Sequence, residues 1–263
     1  MTPAEPARWS DRSWPDLREL LSDRARGHQV GLVPVGAIEQ HGPHLPVGTD
    51  TIVATALCDR AAAVAGCLTL PAIPLGVSYG HGTVLPGTLS LSPELLVATV
   101  HQYARWAALS GLDRLLFVNA HFGNAGSLSV ATDHIRLSAP QLRVGLIHWW
   151  SATPDVLAAV TEDGADIHAN RAETSVMLAL APDLVHLERM AQGDDPDRTG
   201  ELVFRYTAPA LTTNGVTGRP SLASANHGSE IVASVVTAIV DRVDRGRTEE
   251  PPLGEPPAPR FPF

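Results

Sequence analysis

Acidic residues and histidines cluster in one short stretch of the N-terminal part of the chain. Glu39 and His41 directly follow an apolar run, and Asp50 comes after a segment rich in glycine and proline. If the strand pattern of the apolar run continues, Glu39 and His41 point to the same side. Two carboxylates and an imidazole are suitable ligands for a divalent metal ion. A Glu-x-His pair also occurs in ordinary polar turns, so the metal hypothesis depends on the rest of the chain.

Two further clusters occur where a predicted strand gives way to a predicted helix. His121 follows the apolar residues 115–119 and lies among glycine and asparagine residues. His168 precedes an apolar helix, and Glu173 falls in the first turn of that helix. Each cluster also has a simpler interpretation. In the simpler interpretation, His121 only marks the end of a strand. Glu173 is then only an acid in the first turn of a helix, where the helix dipole stabilises it by less than about 1 kcal/mol.

Together the three clusters supply two imidazoles and three carboxylates, which is what a two-metal hydrolytic site requires. One carboxylate must bridge both ions, and Asp50, central in the set, is the candidate. We expect a metal-bound hydroxide to attack a carbonyl carbon that the second ion polarises. His168 is left over as the candidate acid for the departing nitrogen, because imidazole titrates near neutral pH.

Hydrophobic periodicity predicts the elements that carry these clusters. Apolar runs predict strands at residues 30–35, 67–73, 115–119 and 143–148, and helices at residues 14–26, 51–65, 93–110, 125–137 and 172–180. Ser92 followed by Pro93 is a typical helix start. The alternation of strands and helices predicts an α/β fold, a three-layer α/β/α arrangement with a mostly parallel central sheet. The clusters would then meet at the carboxyl edge of that sheet.

The chain is predicted to form a single domain over residues 1–263, with its core at about residues 30–245. Residues 78–89 and 192–224 are rich in glycine and turn residues, and they are predicted to be long loops that shape a pocket or a subunit contact. The proline-rich tail, residues 251–263, is expected to lie extended over the surface or over a neighbouring chain.

Composition excludes several classes of function. A net charge of −9 without a basic patch argues against nucleic-acid and anionic-membrane partners. All 19 basic residues are arginine, which excludes lysine-based catalysis and a P-loop lysine. Cys58 and Cys67 are predicted to be buried thiols and not a disulfide. No signal sequence or membrane-spanning run is evident, so a cytoplasmic protein is expected.

With these residues assembled, the chain resembles the creatininase family of metal-dependent amidohydrolases. Residues 34–50 match the family motif Pro-Val-Gly-x-x-Glu-Gln-His-Gly-x-His-x-Pro-x-x-x-Asp. Residues 119–124 correspond to its Asn-Gly-His-x-x-Asn motif, and residues 168–175 to its His-Ala-x-x-x-Glu-Thr-Ser motif. The resemblance covers roughly residues 30–245 and implies a creatininase-like three-layer fold.

The resemblance also implies a cofactor, an assembly and a set of site residues. Two divalent ions (Zn²⁺, Mn²⁺ or Fe²⁺) and a homo-oligomer, either a hexamer or a trimer or dimer, are expected. Glu39 and His41 would bind different ions with Asp50 as the bridge, and His168 would be catalytic. The implied metal ligands are Glu39, His41, Asp50, His121 and Glu173, the last also counted as catalytic. The candidate substrate contacts are Ser78, Tyr79, His81, Phe122, Trp149 and Trp150.

The chain departs from creatininase itself at positions that bear on the substrate. Creatininase carries Tyr and a metal-binding Glu directly after the histidine of the second motif, where this chain has Phe122 and Gly123. A tryptophan just before His168 is also missing. Creatinine is therefore not the expected substrate.

The leading prediction is a dinuclear amidohydrolase that cleaves a C–N amide bond of a small cyclic or linear amide, with His168 as acid and base. One alternative is a peptidase that acts on a modified peptide during maturation of a cofactor or natural product. Others are a metal-dependent isomerase or lyase for a polar carbonyl compound, and a non-catalytic metal-binding subunit.

Overall fold

A parallel sheet forms the centre of the protein. The computed structural model describes residues 7–22, 29–82 and 84–254. Within these ranges the strands are β1 (Ala7–Arg8), β2 (Val30–Val35), β3 (Leu68–Thr69), β4 (Arg114–Asn119) and β5 (Arg143–His148). The helices are α1 (Trp14–Ser22), α2 (Thr49–Ala65), α3 (Pro93–Leu109), α4 (Ala125–Ser138), α5 (Pro154–Val160), α6 (Arg171–Leu180), α7 (Met190–Gly193), α8 (Ala208–Leu211) and α9 (Ala225–Gly246).

The strand order is β1-β3-β2-β4-β5, and every pairing is parallel. The central pair, β2 and β4, is in register along its full length, so that Val35 lies opposite Asn119. The segments that follow β2 and β4 therefore leave the sheet side by side. This places the first two sequence clusters at one edge, as predicted.

Helices cover both faces of the sheet, which confirms the predicted three-layer α/β/α fold. Along β2, Leu32 packs into one hydrophobic core and Val33 into the other. Along β4, Leu116 and Phe117 are divided in the same way. The first core lies under α2, α5, α6 and α9, and the second under α1, α3 and α4. Burial on both faces explains why these strands are continuously apolar in sequence.

Two predicted boundaries differ from the structure by two residues or more, and a third lies partly outside the described residues. Helix α2 begins at Thr49 and not at residue 51, which brings Asp50 into its first turn. The strand predicted at residues 67–73 is regular only over Leu68–Thr69, because Pro71 has no N–H to donate to a ladder. Helix α1 ends at Ser22 among the described residues, and the rest of its predicted range falls within residues 23–28, outside them.

The helices α5, α7, α8 and α9 were absent from the sequence prediction, and the two longer ones are α5 and α9. Each begins at a side-chain cap, Thr153 for α5 and Ser224 for α9, the same device that Ser92 provides for α3. The predicted loop at residues 192–224 contains the short helix α8. Of the predicted tail, residues 255–263 lie outside the described ranges.

Two further findings concern thiols and membranes. Cys58 and Cys67 are buried and unpaired, as predicted. Among the described residues, no helix combines the length and the apolar character needed to cross a bilayer.

Candidate active site

The three sequence clusters meet in one buried centre. Glu39 and His41 lie just after β2, His121 lies just after β4, and Asp50 and Glu173 lie in the first turns of α2 and α6. None of these five side chains belongs to a residue more than 6% exposed. We call this set the floor of the site.

Asp50 is shared by two groups of potential ligands. Glu39, Asp50 and His121 form one triad, and His41, Asp50 and Glu173 form another, each with ligand atoms within 4.8 Å of one another. His41 Nε2 lies 3.2 Å from Asp50 Oδ1, and His121 Nδ1 lies 3.1 Å from Asp50 Oδ2. Each carboxylate oxygen of Asp50 thus faces a different imidazole, an arrangement that suits a bridging carboxylate.

Backbone carbonyls fix both imidazoles from behind. His41 Nδ1 donates to the Glu39 carbonyl oxygen at 3.0 Å, which leaves Nε2 unprotonated in the neutral ring. His121 Nε2 donates to the Val77 carbonyl oxygen at 2.9 Å, which leaves Nδ1 unprotonated in the neutral ring. Metal-binding histidines are commonly oriented in this way.

Buried carboxylate oxygens in the floor lack hydrogen bonds. Glu39 Oε1 and Oε2 and Asp50 Oδ2 have no hydrogen-bond partner, although imidazole nitrogens lie 3.1–3.3 Å away. Buried unpaired acceptors are costly, and a cation held between these oxygens would satisfy them. These donor atoms therefore fit divalent cations, with mixed nitrogen and oxygen ligands.

The electrostatics of the floor also favour positive charge. Burial disfavours the charged form of His41, but Asp50 outweighs this effect and raises the pKa of His41 to about 10. Burial also disfavours the charged form of His121, but Glu39 and Asp50 outweigh this effect and raise the pKa of His121 to about 9. Burial raises the pKa of Glu173 to about 7. The carboxylates thus draw protons onto the imidazoles, as they would draw a metal cation.

Glu173 is positioned by a capped helix start. Asn170 Oδ1 accepts hydrogen bonds from the backbone N–H groups of Ala172 and Glu173, at 3.0 and 3.1 Å. Ala169 has a positive φ of 52° and donates its N–H to Glu173 Oε2 at 2.6 Å. A non-glycine residue in this conformation is strained, and here the strain directs an N–H group at a ligand.

Gly123 and Asn124 hold the loop that carries His121. A Cβ atom at Gly123 would overlap the Val77 carbonyl oxygen and lie 2.6 Å from His121 Nε2. Asn124 accepts a hydrogen bond from Val77 N at 2.9 Å and donates one to the Gly36 carbonyl oxygen at 2.9 Å. Only glycine fits at position 123 while His121 keeps this hydrogen bond to Val77.

His168 lies beside the two triads that share Asp50, and with Glu39 and His41 it forms a third group of potential ligands. Its Nε2 donates to the Gln40 carbonyl oxygen at 2.8 Å, and its Nδ1 lies 3.3 Å from Glu39 Oε1. Burial, together with His41 and His81, holds the pKa of His168 well below its usual value. The ring is therefore neutral and its Nδ1 carries a lone pair.

A cavity of about 210 Å³ opens above the floor. Of the candidate substrate contacts, Ser78, His81 and Phe122 line it. Ser78 Oγ lies 3.2 Å from His121 Nε2, and His81 Nε2 lies 3.1 Å from Glu39 Oε1. Residues from the loop at 192–224 close one side of the cavity, and they include Tyr206 and Thr217.

Tyr79, Trp149 and Trp150, the other candidate substrate contacts, are not among the residues that line the cavity. Tyr79 is 59% exposed, and its chain neighbours Ser78 and Gly80 line the cavity. Trp149 is buried in the core between the sheet and its helices. Trp150 stacks on Phe122 with ring centroids 4.0 Å apart, so it supports a cavity residue from below. The short turn after β5 directs both indoles inward, toward the apolar core.

His44 also turns away from the cavity. Its Nε2 lies 2.8 Å from Thr174 Oγ1, a hydrogen bond that joins the first motif to helix α6. Burial lowers the pKa of His44 to about 4, so the ring is neutral. This contact stabilises the loop within residues 34–50.

Sequence reasoning missed two residues that the structure places at the site. Gln40 is buried and contacts both His81 and His168. Asp166 lines the cavity, although it was not among the predicted site residues. The spacing offered a signal for both: Gln40 lies between two proposed ligands, and Asp166 precedes His168 by two residues.

The fold and the site define an α/β/α protein with a buried carboxylate and histidine centre at the carboxyl edge of its sheet. Residues 10–243 match the creatininase family, described as creatinine amidohydrolase. The chain therefore belongs to the creatininase family and is a hydrolase of that family.

Two curated relatives of the chain illustrate that its relatives carry different activities. The mycofactocin precursor peptide peptidase of Mycobacterium ulcerans is 36% identical over 226 residues, 81% of this chain and 84% of the relative. The creatinine amidohydrolase of Pseudomonas putida is 33% identical over 252 residues, 89% of this chain and 95% of the relative.

Solved creatininase structures share the fold. A structure titled "Creatininase Mn" superposes with a TM-score of 0.78 at 29% identity, and it covers 93% of this chain and 100% of its own. A mutant creatininase of the "Zn-Zn type" also gives a TM-score of 0.78 at 29% identity, and it covers 94% of this chain and 100% of its own.

Proposed function

We propose that the protein is a dinuclear metal-dependent amidohydrolase. The observation that carries this proposal is the position of Asp50, whose two carboxylate oxygens face two different imidazoles and which belongs to two ligand triads. Glu39 and His121 would hold one ion with Asp50, and His41 and Glu173 would hold the other. Two such ions supply Lewis acidity toward a carbonyl group and lower the pKa of water.

His168 moves the proton in this proposal. Its Nε2 donates to the Gln40 carbonyl oxygen, so Nδ1 is the nitrogen that accepts a proton from the attacking water. As the C–N bond of the amide breaks, the same Nδ1–H donates to the departing nitrogen. His168 therefore acts first as a base and then as an acid, and the products are a carboxylic acid and an amine.

Metal analysis tests the first part of the proposal. Protein purified under metal-replete conditions should hold about two divalent ions per chain. Asp50→Asn should remove both ions, because both triads lose their shared ligand. Asp59→Asn is the matched control: Asp59 lies on the same helix and is also buried, but it pairs with Arg8 at 2.6 Å. Wild-type protein without divalent ions would contradict the proposal.

Product analysis tests the reaction class. During hydrolysis in water labelled with oxygen-18, the new carboxylate must contain solvent oxygen. A product without the label would favour the isomerase or lyase alternative, which uses the same residues without consuming water. Protein that binds both metals and turns over none of a broad panel of amides would favour the non-catalytic subunit.

A peptide-derived amide is the second substrate candidate, and the surface around the cavity favours it. We call the two exposed aromatic residues that line the cavity the aromatic rim: Phe122 and Tyr206, which are 45% and 52% exposed. A substrate that extends out of the 210 Å³ cavity would cover these side chains. The named activity of the relatives at 36% identity, cleavage of a precursor peptide, also favours a peptide.

Comparison of kcat/KM values on two panels of amides separates the substrate candidates. One panel contains small cyclic and linear amides, and the other contains short peptides with apolar residues. A kcat/KM that rises with peptide length would support the peptide. Equal or better turnover of the small amides would restore the small amide as the preferred class. Creatinine serves as a reference in both panels. Its turnover should be poor because this chain has Gly123 where creatininase has an acidic side chain, and the loop leaves no space for such a side chain.

A further inference from the structure

Gln40 lies between two proposed ligands but belongs to neither triad. Its side chain is buried, with the residue 4% exposed, and reaches two imidazoles that line the cavity. Gln40 Nε2 lies 2.9 Å from His81 Nδ1 and 3.0 Å from the Gly215 carbonyl oxygen. An amide nitrogen only donates, so His81 Nδ1 must accept.

The orientation of the Gln40 amide is fixed by its neighbours. Gln40 Oε1 accepts a hydrogen bond from Gly42 N at 3.0 Å. If the amide were rotated by half a turn, its oxygen would face the Gly215 carbonyl oxygen and its nitrogen would face Gly42 N–H. Both contacts would be repulsive. A Cβ atom at Gly215 would overlap this amide, so the backbone is shaped around it.

The hydrogen bond from Gln40 determines which nitrogen His81 presents. A neutral imidazole carries one proton, so His81 with an accepting Nδ1 carries its proton on Nε2. That nitrogen lies 3.1 Å from Glu39 Oε1, yet this oxygen has no hydrogen-bond partner. The Nε2–H group of His81 is therefore left for another acceptor in the cavity.

The backbone of the same residue determines which nitrogen His168 presents. The Gln40 carbonyl oxygen only accepts, so His168 carries its proton on Nε2, 2.8 Å away. The 3.0 Å contact between Gln40 Nε2 and His168 Nε2 joins two donors and carries no hydrogen bond. The rings of His81 and His168 lie 4.3 Å apart and present opposite chemistry, an N–H group and a lone pair.

We propose that Gln40 is a positioning residue that fixes the tautomers of His81 and His168. An amide substrate then meets a hydrogen-bond donor at His81 Nε2 and a proton acceptor at His168 Nδ1. The substrate carbonyl oxygen accepts from His81, and the attacking water gives its proton to His168. The roles of the two rings rest on the proposed amidohydrolase function, whereas the tautomers themselves can be measured without a substrate.

Nuclear magnetic resonance tests the tautomers directly. Protein with nitrogen-15 in its histidines is loaded with zinc, which is diamagnetic, and two-bond proton–nitrogen correlations then distinguish Nδ1–H from Nε2–H rings. The signals are assigned with His81→Gln and His168→Gln. In the wild type both rings should be Nε2–H tautomers. A wild-type His81 with its proton on Nδ1 would overturn the inference, and this result requires no Gln40 variant to fold.

Two substitutions then isolate the Gln40 side chain. Gln40→Glu replaces the donor by an acceptor and should move the His81 proton to Nδ1. Gln40→Met removes the donor and should give a mixture of His81 tautomers. In both variants His168 should stay Nε2–H, because its partner is a backbone carbonyl. Far-UV circular dichroism and the zinc content show whether each variant is folded and loaded.

Thr88→Val is the matched control, because Thr88 Oγ1 accepts a hydrogen bond from Gln40 N at 3.1 Å and does not contact the amide. It should leave both tautomers unchanged. An unchanged Nε2–H ring of His81 in folded Gln40→Glu and Gln40→Met would overturn the inference. That result would leave the zinc content of the protein, and with it the dinuclear site, unaffected. Failure of this inference is therefore distinct from failure of the proposed function.

Discussion

The floor and the aromatic rim of the site lie next to each other but differ in how they are held. Floor side chains are at most 6% exposed, and backbone carbonyls fix the imidazoles among them. The two rim side chains are 45% and 52% exposed, and Tyr206 extends from the irregular segment before α8. Ligands on rigid element ends suit a fixed reaction, whereas exposed loop residues can change with the substrate.

This difference matches the activities of the relatives. The names of the curated relatives include a peptide peptidase, a creatinine amidohydrolase and a hydrolase of 3-dehydro-scyllo-inosose, the last 26% identical to this chain. All three names describe hydrolysis, and the three substrates differ. We infer that the floor sets the reaction class and that the rim selects the substrate.

Substitution of the bridging residue should have the largest effect on the floor. Asp50→Asn should remove both metals and lower kcat/KM by about 10³-fold or more, since Lewis-acid stabilisation is worth several kcal/mol. Metal analysis and steady-state kinetics with the best amide from the panels measure these losses. Retention of both ions in this variant would show that Asp50 is not the bridge.

Removal of the metals should destabilise the whole domain. Ions bind the folded floor and not the unfolded chain, so a metal concentration of 1,000 times Kd adds about 4 kcal/mol of stability. For a chain of this length, chelation should lower Tm by roughly 8–16 °C. Scanning calorimetry with and without a chelator measures the shift. Asp50→Asn provides the control, because its Tm should not respond to the chelator.

Adding a methyl group in the loop after His121 should be costly at a position packed against the floor and harmless at an exposed position three residues later. Gly123→Ala would place a Cβ atom against the Val77 carbonyl oxygen, so we expect a loss of about 1–3 kcal/mol together with weaker metal binding. Gly126→Ala is the control, since no atom lies within 4 Å of the corresponding Cβ position. That variant should be neutral or stabilised by up to about 1 kcal/mol. Equal stability of the two variants by urea denaturation would contradict the tight packing of the loop.

Removal of a rim side chain should change the kinetics with apolar substrates and leave metal binding and stability unchanged. Tyr206→Ala should leave the metal content and Tm unchanged and lower kcat/KM about tenfold for apolar peptides, mainly through KM. Small amides should be affected far less. Leu184→Ala, which removes another exposed apolar side chain but does not line the cavity, should be silent. A Tyr206→Ala variant with reduced metal content would break the separation between floor and rim.

The sequence was sufficient to predict the three-layer fold because its strands have unambiguous signals. The runs at β2 and β4 are apolar at every position that faces either core, and the clusters that follow them share one edge by the geometry of parallel strands. Helix α9 was missed although Ser224 caps it, because the cap follows a long irregular segment. Its apolar positions, such as Ile231 and Val235, recur with helical spacing.

The parts that could not be predicted depend on packing between distant segments. Nothing local to Trp149 and Trp150 indicates that the turn after β5 points them into the core. The role of Gln40 depends on Gly215, which is 175 residues away and accepts one of its hydrogen bonds. Spacing predicts which residues meet at an edge, whereas the direction of each side chain is decided by what packs behind it.

The last ligand, Glu173, has a consequence for how the protein is made. Its helix α6 packs against α9, and Gly228 of α9 approaches the Ser175 carbonyl so closely that a Cβ atom would overlap it. During synthesis, Glu39 and Asp50 leave the ribosome long before α9 does. The proposed ligand Glu173 therefore reaches its final position only after α9 has been synthesised, later than Glu39 and Asp50.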